Sequence, residues 1–299
     1  MKVIVSGSSG FIGSAVVRKL TDAGHEVLRV VRGHPAGTGE LRWDIRAGTI
    51  EHDKAEGAEA VVHLAGAGIA EHRWDEATKA AIQDSRIDGT HLICEALANL
   101  PTPPRVLVSG SAIGYYGNRG AEILDEASTP GSGYLAEVCR AWEAATAPAE
   151  EAGVRVVHLR TGVVLGAGGG VLAKTLPLFK AGAGGRLGPG TQYMSWVSLH
   201  DEVGAICHAI DTDTVSGPLN ATSPNPVTNA AFTRVLSGVL GRPAPLPVPS
   251  FALSAALGRE MVADMVLASQ RVRPTKLVDS GYKFHDPDLA GALKAITQR

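Results

Sequence analysis

A turn marked by three glycines near the N-terminus constrains the fold more than any other feature of the sequence. An apolar run at residues 3–5 leads into Gly7, Gly10 and Gly13, and an apolar pattern with helical spacing begins at residue 15. The glycine spacing is a variant of the Gly-x-Gly-x-x-Gly fingerprint, in which backbone and a helix N-terminus approach a pyrophosphate. The turn predicts a dinucleotide site; a strand–helix turn without a ligand is the alternative. The residues expected to hold the pyrophosphate are Gly7, Ser9, Gly10, Phe11 and Ile12.

The end of the second predicted strand indicates which dinucleotide would be bound. Residues 26–32 form this segment, which closes on Val31 and Arg32 with no acidic residue at its carboxyl end. NAD-specific folds usually place Asp or Glu there to bind the ribose 2′-hydroxyl, whereas an arginine suits the additional 2′-phosphate of NADP. Arg32 therefore favours NADP(H) over NAD(H). A solvated arginine at a strand end is the alternative.

Apolar runs of strand length alternate with amphipathic segments through the first half of the chain, and this alternation predicts an α/β fold with a Rossmann-like, doubly wound parallel sheet. After residue 165, glycine-rich loops flank a predicted helix. We expect residues 1–165 to form an NADP-binding domain, with segments near 193–222 returning to it. We expect residues 166–299 to form a smaller α/β substrate lobe with a C-terminal helical extension. The further strands are predicted at residues 41–44, 60–66, 105–109, 154–160, 194–197 and 217–221, and the first-half helices at 74–100 and from Tyr134, with an apolar face reaching residue 149.

Small and polar residues stand where the predicted parallel strands end, which is where ligands bind in doubly wound sheets. We expect the cofactor to contact Leu64, Ala65 and Gly66, and Ser109 at the end of the fifth strand. His63 is expected to pack or form a hydrogen bond beside its strand rather than to act in catalysis. The remaining candidate in the long helix is Arg86, as a phosphate or ribose contact or, alternatively, as one partner of a surface salt bridge.

Charge and cysteine content exclude several classes of function for this chain of 299 residues. The net charge of −2 gives no electrostatic footprint for nucleic acid. Cys94, Cys139 and Cys207 lack metal-ligand spacing, and an odd count argues against a disulfide framework, so we expect reduced, buried thiols in a cytoplasmic protein. No apolar stretch approaches membrane-spanning length. We therefore expect a small-molecule substrate, no nucleic-acid or membrane partner, no metal ligands, and a monomer or homodimer.

The sequence resembles the extended short-chain dehydrogenase/reductases, and within them the atypical epimerase-like branch with a small appended C-terminal domain. The resemblance covers nearly the whole chain, and it implies a Rossmann-like domain, a smaller substrate lobe and bound NADP(H) without implying a known reaction. The motifs that carry it are the N-terminal fingerprint and residues 63–66, 73–74, 85–86, 109–117, 159–165, 178–179, 269–272 and 281–284.

The resemblance also implies catalytic candidates. In the wider superfamily a Ser orients the substrate oxygen, a Tyr exchanges its proton, and a Lys four residues later lowers the Tyr pKa and holds the ribose. Ser111 and Tyr134 match the first two positions, but Val138 stands in place of the Lys, as is common in the atypical branch. A tyrosine with an ordinary pKa of roughly 10 is a poor base at neutral pH but can still act as an acid. Tyr116, with its neighbour Tyr115, is either a second acid candidate or an aromatic wall.

Together these features predict an NADP(H)-dependent oxidoreductase or epimerase acting on a carbonyl or alcohol of a small, sugar-like substrate. Val163 and Val164 are expected at the nicotinamide end. A non-catalytic protein that binds or senses NADP(H) is the alternative, and the missing Lys is its best support. The sequence does not specify the substrate, the direction of the reaction or the oligomeric state.

Overall fold

The computed structural model describes residues 1–298 and contains one large sheet and three two-stranded sheets. The strands are β1 (Lys2–Ser6), β2 (Glu26–Val31), β3 (Glu40–Asp44), β4 (Thr49–Ile50), β5 (Ala60–His63), β6 (Val106–Ala112), β7 (Ile123–Leu124), β8 (Arg155–Thr161), β9 (Val163–Leu165), β10 (Tyr193–Met194), β11 (Trp196–Ser198), β12 (Gly217–Ala221), β13 (Val227–Thr228) and β14 (Arg271–Val272). The large sheet has the order β12-β8-β6-β5-β1-β2-β3-β4 and is parallel except for the edge pair β3 and β4.

Helices cover both faces of the large sheet, which confirms the predicted doubly wound, Rossmann-like class. The helices are α1 (Phe11–Asp22), α2 (Glu76–Ala98), α3 (Tyr134–Ala144), α4 (Ala147–Glu151), α5 (Gly170–Lys180), α6 (Leu199–Asp211), α7 (Asn229–Leu240), α8 (Ser250–Leu257), α9 (Arg259–Met261), α10 (Thr275–Asp279) and α11 (Leu289–Thr297), with 3-10 turns at His52–Ala55 and Ile113–Tyr116 and a π turn at Val262–Val266. One face of the large sheet packs on α1, α6 and α10, and the other packs on α2 and α4.

Alternate residues of β1 contribute to the hydrophobic cores on the two faces of the large sheet. Val3 and Val5 belong to the core under α1 and α6, whereas Ile4 belongs to the core under α2. Successive side chains of a strand point to opposite faces, so a strand buried on both sides is apolar throughout. The order places β1 between β2 and β5, which makes the carboxyl ends of β1 and β5 the topological switch point where ligands bind in such sheets.

A second core lies between α5, α7 and α11, and contains Trp196 and Leu165 beside these helices. Strand β12 pairs with β8, so the chain re-enters the large sheet after leaving it at β9. The pairing of β14 with β7 joins the C-terminal part to the loop before α3. Among residues 1–298, no helix is both long enough and apolar enough to cross a membrane.

Three predicted elements need correction. The single strand expected at residues 194–197 is two strands, because Ser195 leaves the ladder: its hydroxyl donates to the Gln270 carbonyl and accepts from the Val272 amide, both at 2.8 Å. The helix from Tyr134 ends at Ala144, so the apolar face predicted to reach residue 149 is divided between α3 and α4. The C-terminal extension is not purely helical, since it contributes β14.

Candidate functional site

The glycine turn lies at the switch point, and two of its glycines are required there by geometry. Gly7 has φ +66, and a Cβ on it would lie 2.7 Å from the Leu64 carbonyl carbon. A Cβ on Gly13 would overlap the Gly7 carbonyl oxygen. The turn therefore packs directly against the end of β5 and against its own helix, as the dinucleotide fingerprint requires.

The N-terminus of α1 is open to an anion. Its N-cap is Gly10, which offers no side-chain hydrogen bond, and its first turn contains no acidic residue. Ser9 and Gly10 are exposed, while Phe11 and Ile12 are half-buried. The first amides of a helix have no intrahelical partner and carry partial positive charge, so this end suits a phosphate group.

The loop after β5 is held by a buried hydroxyl. Ser6 Oγ accepts hydrogen bonds from the amides of Leu64 (3.1 Å) and Ala65 (3.3 Å), and it lies 2.7 Å from His63 Nδ1. His63 is fully buried, and burial lowers its pKa to about 4, so the imidazole is neutral near pH 7. The expectation that His63 forms a hydrogen bond beside its strand is confirmed. Gly66, next in this loop, is exposed.

Two arginines in and just after β2 have different surroundings. Val31 is the last residue of β2, and Arg32 follows it, exposed and without a hydrogen bond or ion pair to any residue from 1 to 298. Arg29, inside β2, instead pairs with Glu40 of β3 at 2.7 Å. Glu40 is thereby occupied, and the Arg32 guanidinium is available to a ligand.

Arg86 reaches from α2 to the loop after β5. Its Nη1 donates to the carbonyls of Ala67 (2.9 Å) and Ile82 (3.1 Å), and its guanidinium carbon lies 5.0 Å from the Trp142 ring centroid. The adjacent Ser85 hydroxyl accepts from the Ala67 amide. Burial lowers the pKa of Arg86, and no carboxylate among the described residues pairs with it. The surface-salt-bridge alternative is therefore wrong.

Ser111 belongs to a buried polar network at the end of β6. Its hydroxyl donates to Glu143 Oε1 at 2.7 Å, and Arg160 donates to both Glu143 oxygens at 2.8 Å. Such a bidentate pair fixes geometry strongly. Arg160 also stacks on Tyr115, with its guanidinium carbon 3.5 Å from the ring centroid. Ser109, two residues before Ser111, is fully buried next to His63 in the sheet.

Tyr116 is enclosed by this network rather than exposed to the crevice, so the structure removes it as an acid candidate. Its hydroxyl donates to Asn220 Oδ1 at 2.7 Å, accepts from Arg160 Nη1 at 3.0 Å, and lies 2.9 Å from the Asp125 carbonyl. The residue has no solvent exposure, and burial raises its pKa to about 12. Because it is fully enclosed, Tyr116 does not form an aromatic wall of the crevice either; its neighbour Tyr115 is half-buried beneath Arg160.

Tyr134 lies at the first position of α3 with its hydroxyl directed to α2. It donates to the Lys79 carbonyl at 2.7 Å, and its ring packs edge-on against Trp74. The Lys79 ammonium lies 4.7 Å from the ring centroid and pairs with Glu260 at 2.8 Å. Burial raises the pKa of Tyr134 to about 12, although the positive charge of Arg86 acts in the opposite direction. Ser111 and Tyr134 thus form separate hydrogen bonds rather than one relay.

The remaining predicted residues lie as follows. Val163 and Val164 are half-buried in β9, which begins one residue after β8 and pairs with β11. The thiols of Cys94 and Cys139 are buried, but Cys207 is only half-buried, and all three are free.

Sequence reasoning did not identify Glu143 and Lys79 as neighbours of the two catalytic candidates. Glu143 is nine residues from Tyr134 on α3, and nothing in its local sequence links it to Ser111. The position of Arg160 could have indicated such a partner, because a charged residue inside an apolar strand requires a buried partner of opposite charge.

Comparison with known proteins identifies the family to which this arrangement belongs. The family model described as the NAD dependent epimerase/dehydratase family matches residues 3–221. The chain belongs to this family. A second family model, a domain of unknown function (DUF1731), matches residues 248–296 and corresponds to the appended C-terminal domain. The predicted resemblance to the epimerase-like branch is confirmed.

Relatives in the epimerase family match the chain over nearly its full length. The epimerase family protein Mb2239 of Mycobacterium bovis is 45% identical over 297 residues, which are 99% of this chain and 98% of the relative. The crystal structure of human epimerase family protein SDR39U1 (isoform 2) with NADPH is 34% identical and covers 100% of both chains, with a TM-score of 0.92. A nucleoside-diphosphate sugar epimerase from Corynebacterium glutamicum is 38% identical with a TM-score of 0.80, covering 99% of this chain and 58% of that one.

Proposed function

We propose that this epimerase-family protein binds NADP(H) and transfers hydride to or from a carbonyl or alcohol carbon of a small, sugar-like substrate. The observation that carries the proposal is the α1 N-terminus, which has no side-chain cap and lies at the switch point between β1 and β5. The human relative was crystallised with NADPH, which supports the same cofactor here. When bound, the nicotinamide supplies or accepts the hydride.

Different residues of this chain would bind different parts of the NADP(H) molecule. The backbone of Gly7, Ser9, Gly10, Phe11 and Ile12 would hold the pyrophosphate, and Arg32 the 2′-phosphate. Leu64, Ala65 and Gly66 would line the adenosine and ribose side, and Val163 with Val164 the nicotinamide end. Ser109 is fully buried and would support this loop from within the sheet without touching the cofactor. The free guanidinium of Arg32 supports this assignment, because an arginine already paired with a carboxylate would have to break that pair to bind phosphate.

We infer that Arg86 takes over part of the role of the missing Lys. It places positive charge beside Ala67, Trp142 and the start of α3, and this charge partly offsets the rise in the pKa of Tyr134 that burial causes. Its Nε and Nη2 form no hydrogen bond to residues 1–298, so the N–H groups of these two nitrogens are free for the ribose. Tyr134 keeps its proton at neutral pH because burial dominates, so in the direction of carbonyl reduction it would donate this proton to the substrate oxygen.

Ser111 is proposed to orient the substrate oxygen. In the structure its proton is donated to Glu143, so the Ser111 oxygen can accept a hydrogen bond from a substrate hydroxyl. Because Arg160 also donates to both Glu143 oxygens, the Ser111 hydroxyl can rotate and donate its proton to a substrate carbonyl oxygen instead. Glu143 is held by Arg160 and acts as a positioning residue for Ser111. An epimerase would remove hydride from one carbon while the hydroxyl proton passes to the Tyr134 phenolate, and would then return both, so the same residues would serve either reaction.

Turnover of NADPH with a panel of aldehydes, ketones and sugar-like carbonyl compounds tests this function. We expect sustained oxidation, reduced at least about tenfold in Ser111→Ala, since one lost substrate hydrogen bond in a closed site is worth roughly 1–3 kcal/mol. Ser237→Ala, which removes a hydroxyl at the end of α7, is the matched control and should retain full activity.

The alternative function, a non-catalytic NADP(H)-binding or sensing protein, is favoured by the absence of Lys at position 138. The same experiment discriminates between the two. Calorimetric binding of NADPH without turnover of any compound would favour the sensor, whereas turnover lost in Ser111→Ala would exclude it. The absence of heat with either nicotinamide cofactor would contradict both.

A further inference from the structure

Three potential metal ligands meet at a surface remote in sequence from the glycine turn. His200 is the second residue of α6, and His285 and Asp286 precede α11. One ligand atom from each lies within 4.8 Å of the other two. The imidazole centroids are 4.2 Å apart, and His285 Nδ1 is 3.1 Å from Asp286 Oδ1. Because His200 lies far in the sequence from His285 and Asp286, no spacing pattern in the sequence predicts this cluster.

A buried carboxylate holds the backbone of two of the three candidate ligands in place. Asp201 is 1% exposed, and it accepts hydrogen bonds from the backbone amides of His285 and Asp286, both at 2.8 Å. It also accepts from the Tyr282 hydroxyl at 3.0 Å. These contacts fix the loop backbone against the start of α6. His285 and Asp286 are therefore held beside His200 by the fold, and their side chains need only rotate to share an ion.

We propose that His200, His285 and Asp286 form a binding site for a divalent transition-metal ion, represented by Zn²⁺. Two imidazole nitrogens and one carboxylate oxygen are a donor set that zinc uses, with solvent completing the fourth position. Ligands about 2.0–2.1 Å from a tetrahedral ion lie about 3.4 Å apart. The His285 Nδ1–Asp286 Oδ1 distance of 3.1 Å is close to that separation, and the exposed imidazoles of His200 and His285 can rotate to close the remaining distances. Mg²⁺ is disfavoured because it requires oxygen ligands.

Local charge permits a cation at this end of α6. The positive end of a helix dipole opposes a cation, and the carboxylates of Asp201 and Asp286 offset it. Because the ligands come together only in the folded chain, bound metal would tie the segment before α11 to α6 and stabilise the folded state. This inference is independent of the proposed redox function.

Calorimetric titration of ZnCl₂ into untagged, EDTA-treated full-length protein tests the proposal, in a buffer containing a non-thiol reductant. We expect one ion per chain, with binding weakened at least about tenfold in His200→Ala and in His285→Ala, since even outer-shell partners of a metal contribute about 10–100-fold. At a hundredfold excess over Kd, Zn²⁺ should raise the Tm by about 5 °C, and at the same Zn²⁺ concentration the rise should fall to about half or less in either alanine variant. Co²⁺ should give a visible absorption spectrum, and Mg²⁺ should not bind.

His91→Ala is the matched control, because His91 lies 3.2 Å from Glu95 on α2 and is a similarly exposed histidine–carboxylate pair without a second histidine. It should bind Zn²⁺ as the unchanged protein does. Cys207→Ser tests whether the half-buried thiol on α6 is a ligand, and it should also bind normally. No binding of Zn²⁺, or equal binding in the unchanged protein and both His200→Ala and His285→Ala, would overturn the proposal.

Discussion

Arg32 and Arg160 both stand at the carboxyl end of a parallel strand, yet their surroundings give them different roles. Arg160 is 3% exposed, forms a bidentate pair with Glu143 and stacks on Tyr115. Removing one partner of such a pair leaves a buried charge uncompensated, so the pair acts as a fixed structural unit. Arg32 is exposed and unpaired within residues 1–298, so its guanidinium is available to a phosphate.

Arg32→Ala should weaken NADPH binding much more than NADH binding. The arginine is proposed to contact only the 2′-phosphate, and a charge-assisted hydrogen bond contributes about 1.5–3 kcal/mol, or roughly 10–150-fold in Kd. Parallel calorimetric titrations with the two cofactors measure the difference. Arg18→Ala on α1, an exposed arginine outside the proposed site, should alter neither titration. Equal losses for NADPH and NADH in Arg32→Ala would refute the assignment.

Glu202 should make stability depend on pH. It is fully buried on α6, Thr161 donates to one of its oxygens at 2.7 Å, and burial raises its pKa from 4.5 to about 8. Between pH 4.5 and pH 8 the folded chain binds more protons than the unfolded chain. The free energy of unfolding is therefore greatest below pH 4.5, and it falls as the pH rises to about 8.

Glu202→Gln cannot ionise and keeps an acceptor for Thr161. Relative to the unchanged protein, its free energy of unfolding should increase by about 3–4 kcal/mol more at pH 8 than at pH 5. Urea denaturation at the two pH values measures this. Glu76→Gln, at an exposed position of α2, should show no such gain. If the gain in free energy of unfolding in Glu202→Gln were the same at pH 5 and pH 8, burial would not have raised the pKa of Glu202.

At the scale of elements, the β1–α1 unit is the most constrained part of the molecule. Gly7 touches the end of β5, Gly13 touches Gly7, and Ser6 holds the loop after β5. The strand, the turn and the neighbouring loop are therefore a single rigid unit, and the phosphate-binding amides are fixed by backbone packing rather than by mobile side chains.

Gly13→Ala should disturb this unit. The added methyl group would overlap the Gly7 carbonyl oxygen, and relieving such overlap typically costs about 1–3 kcal/mol. We expect a lower free energy of unfolding in urea and weaker NADPH binding by calorimetry. Gly238→Ala is the control, because its methyl group would meet no atom within 4 Å on α7 and should be neutral or stabilising by up to about 1 kcal/mol. Unchanged cofactor affinity in Gly13→Ala would show that the turn tolerates displacement.

At the scale of the whole molecule, the C-terminal part completes the surroundings of the N-terminal site. Glu260 pairs with Lys79, whose carbonyl holds the Tyr134 hydroxyl. A Cβ on Gly133 would lie 2.7 Å from Asp264, which follows Glu260 by one turn. The residues around Tyr134 therefore come from α2, α3 and the segment after α8, although these are separated by up to about two thirds of the chain.

The doubly wound sheet, the glycine turn, the buried role of His63 and the family could be predicted from the sequence, because each is encoded locally, by periodicity, spacing or a contiguous motif. The tertiary structure decided that Tyr116 is enclosed, that Ser111 donates to Glu143 rather than to Tyr134, and that His200 lies beside His285. These depend on contacts between residues up to 104 positions apart, as for Tyr116 and Asn220. Local spacing carries no information about which buried groups will satisfy one another; packing of the finished fold selects the partners.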